Sequence, residues 1–307
     1  WCLHLSYIKP HWPYIAPEPY HNMYGHNDIK PVNRAPKERE NPHPVMQLCM
    51  QREDSESFSR DEVRERVIPA YMGLIKQIDD HLGRLFKFLE EQGRMDDTMI
   101  VFTSDHGDYL GDHWLGEKEQ FHEESVRIPL IVYDPSPEAD TTRGLVDDRL
   151  IESLDVVPTF IDTAGGKVPY HILEGRSLLP ILHGKKPTNW RTYAVSESEF
   201  GARTAFWEHD LESYDARATM IRTADWKYVF FEAFRPQLFD LKNDPYELND
   251  LGDDPEHEHI RSEMREKMFE SLRHRRTRTT RDEAFMRMRA ERSLARKSER
   301  PVFLGVW

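Results

Sequence analysis

A short, very apolar run near residue 100 ends abruptly in polar and glycine residues, and this transition limits the folds that the chain can adopt. Residues 98–103 read TMIVFT, a β-branched and apolar sequence of about the length of a buried parallel strand. In open α/β sheets, ligands bind where such strands end. The sequence therefore predicts a buried strand with a functional loop directly after it.

The loop after this strand carries a carboxylate and an imidazole side by side. Asp105 offers oxygen ligands and His106 a nitrogen ligand for a metal ion, while Gly107 and Gly111 let the backbone turn tightly. A short Ser-Asp-His-Gly sequence fits equally well an Asx turn with a surface histidine. From the loop alone, both interpretations stay open.

A long amphipathic helix is predicted before the strand. Ser59 and Glu62 have the spacing of a capping box, and apolar residues then recur every three or four positions until Gly93, with Pro69 as an expected kink. Residues 10–58 are rich in proline, asparagine and charge, so they are interpreted as a long excursion of loops. Four side chains of this excursion are expected either to line a pocket mouth or to pack the loops down: Tyr14, Tyr20, His21 and Tyr24.

Buried strands continue to alternate with helices further along the chain. A second strand is expected at residues 128–133, and a helix begins near Asp155, whose carboxylate is more typical of a helix start than of catalysis. Such alternation favours an α/β fold with a largely parallel sheet between two layers of helices. The pattern predicts one main α/β domain over residues 1–190.

Beyond residue 190 the pattern changes to short strands with short connections, which predicts a small antiparallel sheet in a subdomain at residues 191–255. The acidic segment 240–251, DLKNDPYELNDL, lacks the glycine spacing of an EF-hand calcium loop, so a capped turn is the better interpretation. Four strands are expected here, at Tyr193–Ser196, Ala218–Arg222, Trp226–Phe231 and Gln237–Asp240.

The residues around the predicted loop form one long motif, which consists of SDHGDYLGDH at 104–113, Lys118, and EESVRIPLIV at 123–132. In this region the chain closely resembles the sulfatase family of the alkaline phosphatase superfamily. A histidine directly after Asp105 and the sequence KPHWPYIAP at residues 9–17 make it most similar to the phosphonate monoester hydrolases. The resemblance covers most of the chain and implies an alkaline-phosphatase-like sandwich.

The resemblance implies roles for four residues: Asp105 and His106 bind one divalent metal ion, and Lys118 and His11 hold the oxyanion of a small anionic ester. Physical chemistry agrees, because a phosphoryl or sulfuryl group carries negative charge on several oxygens that a metal ion, a lysine and a histidine stabilise. Either His11 or Lys118 would also transfer a proton during catalysis. The nitrogen ligand favours manganese or zinc, with calcium possible.

The nucleophile of the family, a cysteine converted to formylglycine in the N-terminal part, has no match in this chain. Neither Cys2 nor Cys49 is followed by the small residue and the arginine of that motif. The family's first metal-binding aspartate is also unmatched, and residues 2–8 are expected to form a strand. We therefore expect the C-terminal part of a longer hydrolase, inactive alone. Two alternatives remain: a metal-bound water as nucleophile, although two ligands are few for a catalytic metal, and an inactive remnant that binds anions or metal.

Composition and charge argue against several other classes of protein. Of 307 residues, 38% are hydrophobic and 32% are charged, and no apolar stretch approaches the length of about 18 residues that spans a bilayer. The net charge of −13 disfavours nucleic acid as a partner, so local charges must attract an anion. Two cysteines in dissimilar contexts indicate no disulfide framework, which favours a cytoplasmic location.

Residues 256–307 are predicted to form a helical arm that ends in an apolar tail. The arm is basic near its end, but glutamates interleave with its arginines. A solvated or intersubunit arm is therefore favoured over a nucleic-acid-binding arm, and an assembly module stays as a further alternative for the function of the chain. Phosphonate monoester hydrolases have similar arms that engage neighbouring subunits, so the resemblance implies a homo-oligomer.

Overall fold

The computed structural model describes residues 1–200 and 215–276, together with residues 282, 284, 285, 287–289, 291 and 292. The predicted C-terminal arm is therefore described only in part, and its apolar tail at residues 301–307 lies outside the described residues. None of the helices in the described part of the chain is long and apolar enough to cross a membrane.

The N-terminal region contains short helices where only loops are predicted. The elements are two 3-10 turns, Tyr20–Asn22 and His26–Asp28, and the helices α1 (Lys37–Glu40), α2 (Pro44–Met50) and α3 (Glu53–Phe58). Helix α2 forms because the His43 imidazole accepts a hydrogen bond from the backbone N–H of Val45 at 3.2 Å, and because four of its side chains are buried. The loop prediction for residues 10–58 is therefore wrong in its second half.

Residues 2–8 form no strand, contrary to the expectation from their sequence. Trp1 and Ile8 are each 81% exposed, and the side chains between them are exposed as well. A strand needs a neighbour for its backbone donors and acceptors, and no described residue pairs with this segment. An apolar sequence alone does not supply that neighbour.

Helix α4 (Asp61–Glu91) is the long helix that the apolar spacing predicts, and Pro69 lies buried inside it. Its N-terminus differs from the prediction. The Ser59 hydroxyl donates to the carbonyl oxygen of Glu56 at 2.7 Å, so this residue ends α3 and does not cap α4. The predicted capping box with Glu62 is wrong because the two helices follow each other too closely.

The two strands on either side of the candidate loop run antiparallel. Strands β1 (Ile100–Thr103) and β2 (Leu130–Tyr133) confirm both predicted strands, and Val101 lies opposite Val132. The segment between them, which includes α5 (Glu123–Val126), folds back on itself and returns the chain in the opposite direction. In the described residues both sheets are antiparallel, so the predicted parallel sheet is not found there.

Asp155 has the structural role that the sequence favours, just before helix α6 (Val156–Thr163). Its buried carboxylate accepts hydrogen bonds from the backbone N–H groups of Glu152, at 2.9 Å, and Arg176, at 2.7 Å. The guanidinium group of Arg191 donates to the same carboxylate at 2.7 Å. These contacts tie the start of α6 to the chain that leads into the second sheet.

A four-stranded antiparallel sheet follows, as predicted. The remaining elements are α7 (Leu179–Leu182), β3 (Ala194–Glu199), β4 (Arg217–Arg222), β5 (Trp226–Phe231), β6 (Gln237–Asp240) and α8 (Glu258–Arg273). The strand order β3-β4-β5-β6 follows the chain, and α8 packs on β4 and β5. Buried side chains of β4 and β5 share one core with α2 and with the loop after β1, so the sheet supports that loop.

Candidate active site

Three of the four predicted site residues line one small pocket at the end of β1. His11, His106 and Lys118 come together there although they lie far apart in the sequence. The fourth residue, Asp105, lies beside His106. The other lining residues are Trp12, Tyr14, Asp108 and Glu117.

Asp105 and His106 bring two metal donors close to each other. His106 Nδ1 lies 2.7 Å from the carbonyl oxygen of Gly107, and because that oxygen only accepts, Nδ1 carries the proton. Nε2 is therefore the ring nitrogen left for a metal ion, and this atom lies 3.4 Å from Asp105 Oδ2. The side chain of Asp105 is 86% exposed and that of His106 is 27% exposed, so a metal ion can reach both.

His11 and Lys118 form the cationic side of the pocket. Lys118 Nζ lies 3.0 Å from His11 Nε2, and since an ammonium group only donates, His11 accepts through Nε2. His11 Nδ1 lies 3.1 Å from the carbonyl oxygen of Trp12 and donates to it. The ring centres of His11 and His106 are 6.0 Å apart. An oxyanion bound here would therefore lie close to the lysine and to the possible metal ligands.

Two glycines allow the loop to pack closely against its neighbours. A Cβ atom on Gly107 would lie 1.9 Å from the carbonyl oxygen of Glu124, so only glycine permits this approach. Gly111 has a φ of 100°, in the region that favours glycine, and a Cβ atom there would lie 2.8 Å from the carbonyl oxygen of Phe58. The packing of the loop thus explains both glycines of the motif.

The second Asp-His pair of the motif anchors the loop. His113 is buried, with its Nδ1 2.7 Å from Glu38 Oε1 and its Nε2 3.3 Å from Glu124 Oε2. Burial lowers the pKa of His113, but the hydrogen bonds to the two carboxylates outweigh burial and raise the pKa to about 9. Asp112 Oδ1 accepts the backbone N–H of Asn33 at 2.8 Å. Both residues of this pair are therefore structural.

Tyr14 and Asp108 form a hydrogen-bonded pair in the pocket. The Tyr14 hydroxyl donates to Asp108 Oδ2 at 2.8 Å. Of the two roles expected for this tyrosine, lining the pocket is therefore the one that the structure supports. Burial raises the pKa of Asp108 to about 6, although hydrogen bonds from Tyr14 and from the backbone of Leu110 lower it in part. Burial, followed by the charge of Asp108, also raises the pKa of Tyr14. The sequence analysis did not assign Asp108 to the site; its position two residues after His106 was the available signal.

Other side chains considered from the sequence have structural contacts or lie outside the pocket lining. Tyr20 donates to Asp80 of α4 at 3.0 Å and so packs its loop down. Arg127, the arginine of the EESVRIPLIV motif, is exposed and does not line the pocket. In the acidic turn, Asp244 Oδ2 accepts the backbone N–H of Asn249 at 2.7 Å, as in a capped turn.

Two side chains that could hold a metal ion, Asp105 and His106, lie side by side at the pocket. In the described residues, no group of three or more His, Cys, Asp or Glu side chains is arranged to hold a metal ion. Asp105 and His106 nevertheless offer a carboxylate oxygen and an imidazole nitrogen next to each other, a donor pair that suits manganese or zinc. These two residues therefore fit a metal ion as members of a larger ligand set.

Two family profiles match this chain. A family profile described as Sulfatase matches residues 1–166. A second profile, described as N-sulphoglucosamine sulphohydrolase, C-terminal, matches residues 111–274. The first match covers β1 and all four predicted site residues, and the second extends through the four-stranded sheet into α8.

Similar proteins include hydrolases of phosphorus and sulfur esters. The multifunctional alkaline phosphatase superfamily protein PehA of Trinickia caryophylli is 40% identical over 274 residues, which cover 82% of this chain and 52% of that protein. An arylsulfatase of Clostridium perfringens is 30% identical over 280 residues, which cover 88% of this chain and 53% of that protein. The crystal structure of the phosphonate monoester hydrolase of Agrobacterium radiobacter aligns with a TM-score of 0.79 and 32% identity, covering 86% of this chain and 55% of that one.

The chain thus spans about half the length of the relatives that it matches. The Sulfatase profile match includes β1 and every residue that lines the pocket. The chain belongs to the sulfatase family of the alkaline phosphatase superfamily.

Proposed function

We propose that this chain carries the metal-binding and oxyanion-binding residues of an enzyme that hydrolyses phosphonate, phosphate or sulfate esters with one divalent metal ion. Membership of the sulfatase family supports ester hydrolysis as the reaction. The observation that carries the proposal is the contact of 3.0 Å between Lys118 Nζ and His11 Nε2, beside His106 in one pocket. The positive charge of Lys118 favours an anionic ester as the ligand, although Asp108 and Glu117 also line the pocket.

Lys118 and His11 bind and orient the substrate oxyanion in this proposal. An ammonium group has three donors, so Lys118 can contact an oxyanion and keep its contact with His11. Because Nδ1 of His11 donates to the carbonyl oxygen of Trp12, Nε2 is the atom that takes up or releases a proton. His11 therefore suits proton transfer at the ester oxygen that faces Lys118.

Asp105 and His106 hold the metal ion through Oδ2 and Nε2. When bound, the metal ion would supply positive charge that polarises the oxygens of the phosphoryl or sulfuryl group. The nitrogen donor favours manganese or zinc, and calcium remains an alternative. Catalytic metals generally take three or more protein ligands, so we propose that further ligands and a formylglycine nucleophile come from a protein region that is not part of this chain.

Phosphorus esters are the preferred substrate class. The motif with His106 directly after Asp105 is the one that resembles phosphonate monoester hydrolases, and a protein of that name is among the structural neighbours. The chain is also similar to an arylsulfatase, so sulfate esters remain within the proposal. In both cases we propose a small anionic substrate, because Lys118 supplies positive charge to the pocket.

Several broader features of the whole protein belong to the same proposal. We infer that a largely parallel sheet completes the sandwich around β1, and that the arm at residues 256–307 joins subunits into a homo-oligomer. The net charge of −13 favours a protein without a nucleic-acid partner, and we propose a cytoplasmic location without a membrane partner.

A second candidate function is that of an inactive remnant that binds anions or metal. The observation in its favour is that no complete metal-ligand set occurs within the described residues. A remnant would keep the affinity of Lys118 and His11 for an oxyanion and would catalyse no turnover. The two candidates therefore differ in activity and agree in anion binding.

Ligand binding by the full 307-residue chain tests the proposal. Manganese binding is measured by electron paramagnetic resonance, and inorganic phosphate binding by calorimetry. We expect Asp105→Asn to weaken manganese binding and Lys118→Met to weaken phosphate binding, each by about tenfold or more, because each removes a charged contact. Asp147→Asn is the charge-matched control, since Asp147 pairs with Arg149 and does not line the pocket; it should bind both ligands like the wild type.

Turnover then separates the two candidate functions. Hydrolysis of p-nitrophenyl phenylphosphonate by the chain, supplemented with the nucleophile-containing N-terminal part of a family member, would support the enzyme. Phosphate and manganese binding without hydrolysis would support the remnant. A wild-type chain that binds no phosphate would refute both, because both candidates keep the oxyanion contacts of Lys118 and His11.

A further inference from the structure

The short helix α5 contacts both parts of the candidate site through one buried residue, Ser125. The Ser125 hydroxyl donates to the backbone carbonyl oxygen of Lys118. The carbonyl oxygen of Ser125 accepts the backbone N–H of Gly107 at 2.8 Å. Ser125 therefore connects the backbone of the oxyanion-binding lysine to the residue that follows the metal ligand His106.

The hydrogen bond to Lys118 matters because the backbone around this lysine lies in an unfavourable conformation. Glu117, the preceding residue, has a φ of 58°, and Gln120, two residues later, has a φ of 80°. Residues with side chains rarely adopt positive φ values, so local preference opposes this path of the chain. Buried contacts such as the one from Ser125 have to hold it.

A buried lysine of the four-stranded sheet fixes α5 in turn. Lys227 of β5 is fully buried, and its Nζ donates to the carbonyl oxygen of Phe121 at 2.7 Å. The same atom lies 2.9 Å from Glu123 Oε1 and 2.7 Å from Glu247 Oε1. Glu247 Oε2 accepts the backbone N–H of Glu123 at 2.7 Å. The start of α5 is therefore held by paired charges that leave it little freedom to move.

We propose that Ser125 is a positioning residue for Lys118, because it holds the backbone from which the Lys118 ammonium reaches His11 and the substrate oxyanion. This role rests on the proposed function of Lys118, and Ser125 itself contacts neither the substrate nor the metal ion. Through Lys227, the four-stranded sheet contributes to the same support. The sheet thus acts on the pocket although none of its side chains lines it.

Chemical labelling of Lys118 tests this role without any ligand. The full 307-residue chain is acetylated at trace level, and the rate at Lys118 is measured by mass spectrometry. Ser125→Ala removes the hydroxyl and keeps the backbone contact with Gly107. We expect Lys118 to react about fivefold faster in this variant. Loss of this one hydrogen bond should make conformations in which the Lys118 ammonium has left His11 about fivefold more populated.

The matched control is Ser177→Ala, a second buried serine whose hydroxyl donates to Asp162 Oδ2 at 2.6 Å outside the pocket. This variant should label Lys118 at the wild-type rate. Ser125→Cys keeps a weaker donor of similar size and should give an intermediate rate; it also supplies the measurement should Ser125→Ala fail to fold. A wild-type rate at Lys118 in the folded Ser125 variants would overturn the positioning role.

Phosphate affinity distinguishes a failure of this role from a failure of the proposed function. We expect inorganic phosphate to bind Ser125→Ala about fivefold more weakly than the wild type, with unchanged manganese affinity. A wild-type chain that binds no phosphate would refute the proposed function, and the labelling rates would still decide the role of Ser125. Phosphate binding by the wild type with equal affinity in Ser125→Ala and equal labelling would refute the positioning role alone.

Discussion

Raising the pH from 6.5 to 9 should weaken the fold through the buried His113. Burial lowers the pKa of this histidine, but its hydrogen bonds to Glu124 and Glu38 outweigh burial and raise the pKa from 6.5 to about 9. In this pH range the folded protein keeps a proton that the unfolded chain releases. The stabilisation is therefore fully present below pH 6.5 and is lost as the pH rises through about 9.

The magnitude follows from the size of the pKa change. Each pKa unit corresponds to about 1.4 kcal/mol, so the change from 6.5 to about 9 corresponds to about 3 kcal/mol in the free energy of unfolding. Between these pH values the free energy of unfolding should fall by at most about 1.4 kcal/mol per pH unit. Because Glu38 and Glu124 both contact the His113 ring, this energy belongs to the three side chains together and not to His113 alone.

Below pH 6.5 the free energy of unfolding should fall as the pH decreases, because of the neighbouring His122. The rings of His113 and His122 are stacked, with centres 3.9 Å apart. Burial, followed by the positive charge of His113, lowers the pKa of His122 well below 6.5. The unfolded chain gains a proton there as the pH falls below 6.5, and the folded protein does not. Through these two groups, stability should reach its maximum near pH 6.5.

Urea unfolding, followed by tryptophan fluorescence over this pH range, measures the effect. His113→Gln should lose most of the fall in unfolding free energy between pH 6.5 and 9, together with part of its stability. His26→Gln is the control, because the His26 side chain is 72% exposed and lies 3.5 Å from Glu65; it should keep the wild-type profile. A wild-type free energy of unfolding that is constant or rises from pH 6.5 to 9 would show that the argument is wrong.

Two further substitutions probe the loop and the buried ion pair. Gly107→Ala should weaken manganese binding, measured by electron paramagnetic resonance, because the added Cβ atom would lie 1.9 Å from a carbonyl oxygen of α5. Gly83→Ala is the control, because a Cβ atom on Gly83 would have no neighbour within 4 Å. Equal manganese affinity in the two variants would contradict this prediction. Asp155→Asn should lower the free energy of unfolding in urea by about 3 kcal/mol, because Arg191 loses the fully buried member of its two carboxylate partners and keeps only Glu152. A loss below about 1 kcal/mol, the range of an exposed pair, would count against it.

The fold could be predicted where the sequence has a strong local period. The apolar run before Ser104 and the alternating strands after residue 190 have such periods, and the structure confirms these strands. Helix α2 has no such signal, because its sequence is short and it forms through burial against β4 and β5. The strand expected at residues 2–8 shows the reverse case, in which the local pattern is present and the pairing partner is not among the described residues.

The site could be predicted only through its long motif. His11 and Lys118 are separated by more than a hundred positions, and no spacing rule connects them; the resemblance to a family did so, and the structure brings them to 3.0 Å. The pair of Tyr14 and Asp108 depends on burial and on a contact across the pocket, which a sequence does not contain. The roles of Asp105 and His106 as metal ligands remain predictions.

The core that joins α2 to the four-stranded sheet also determines how this protein can fluctuate. Leu48 of α2, Tyr109 of the candidate loop and Val229 of β5 belong to one buried cluster. An opening that exposes any one of them removes packing from the other two, so these elements should open together as a single cooperative unit. The pocket loop therefore shares the low opening probability of the four-stranded sheet, and local opening should concentrate in segments outside this cluster.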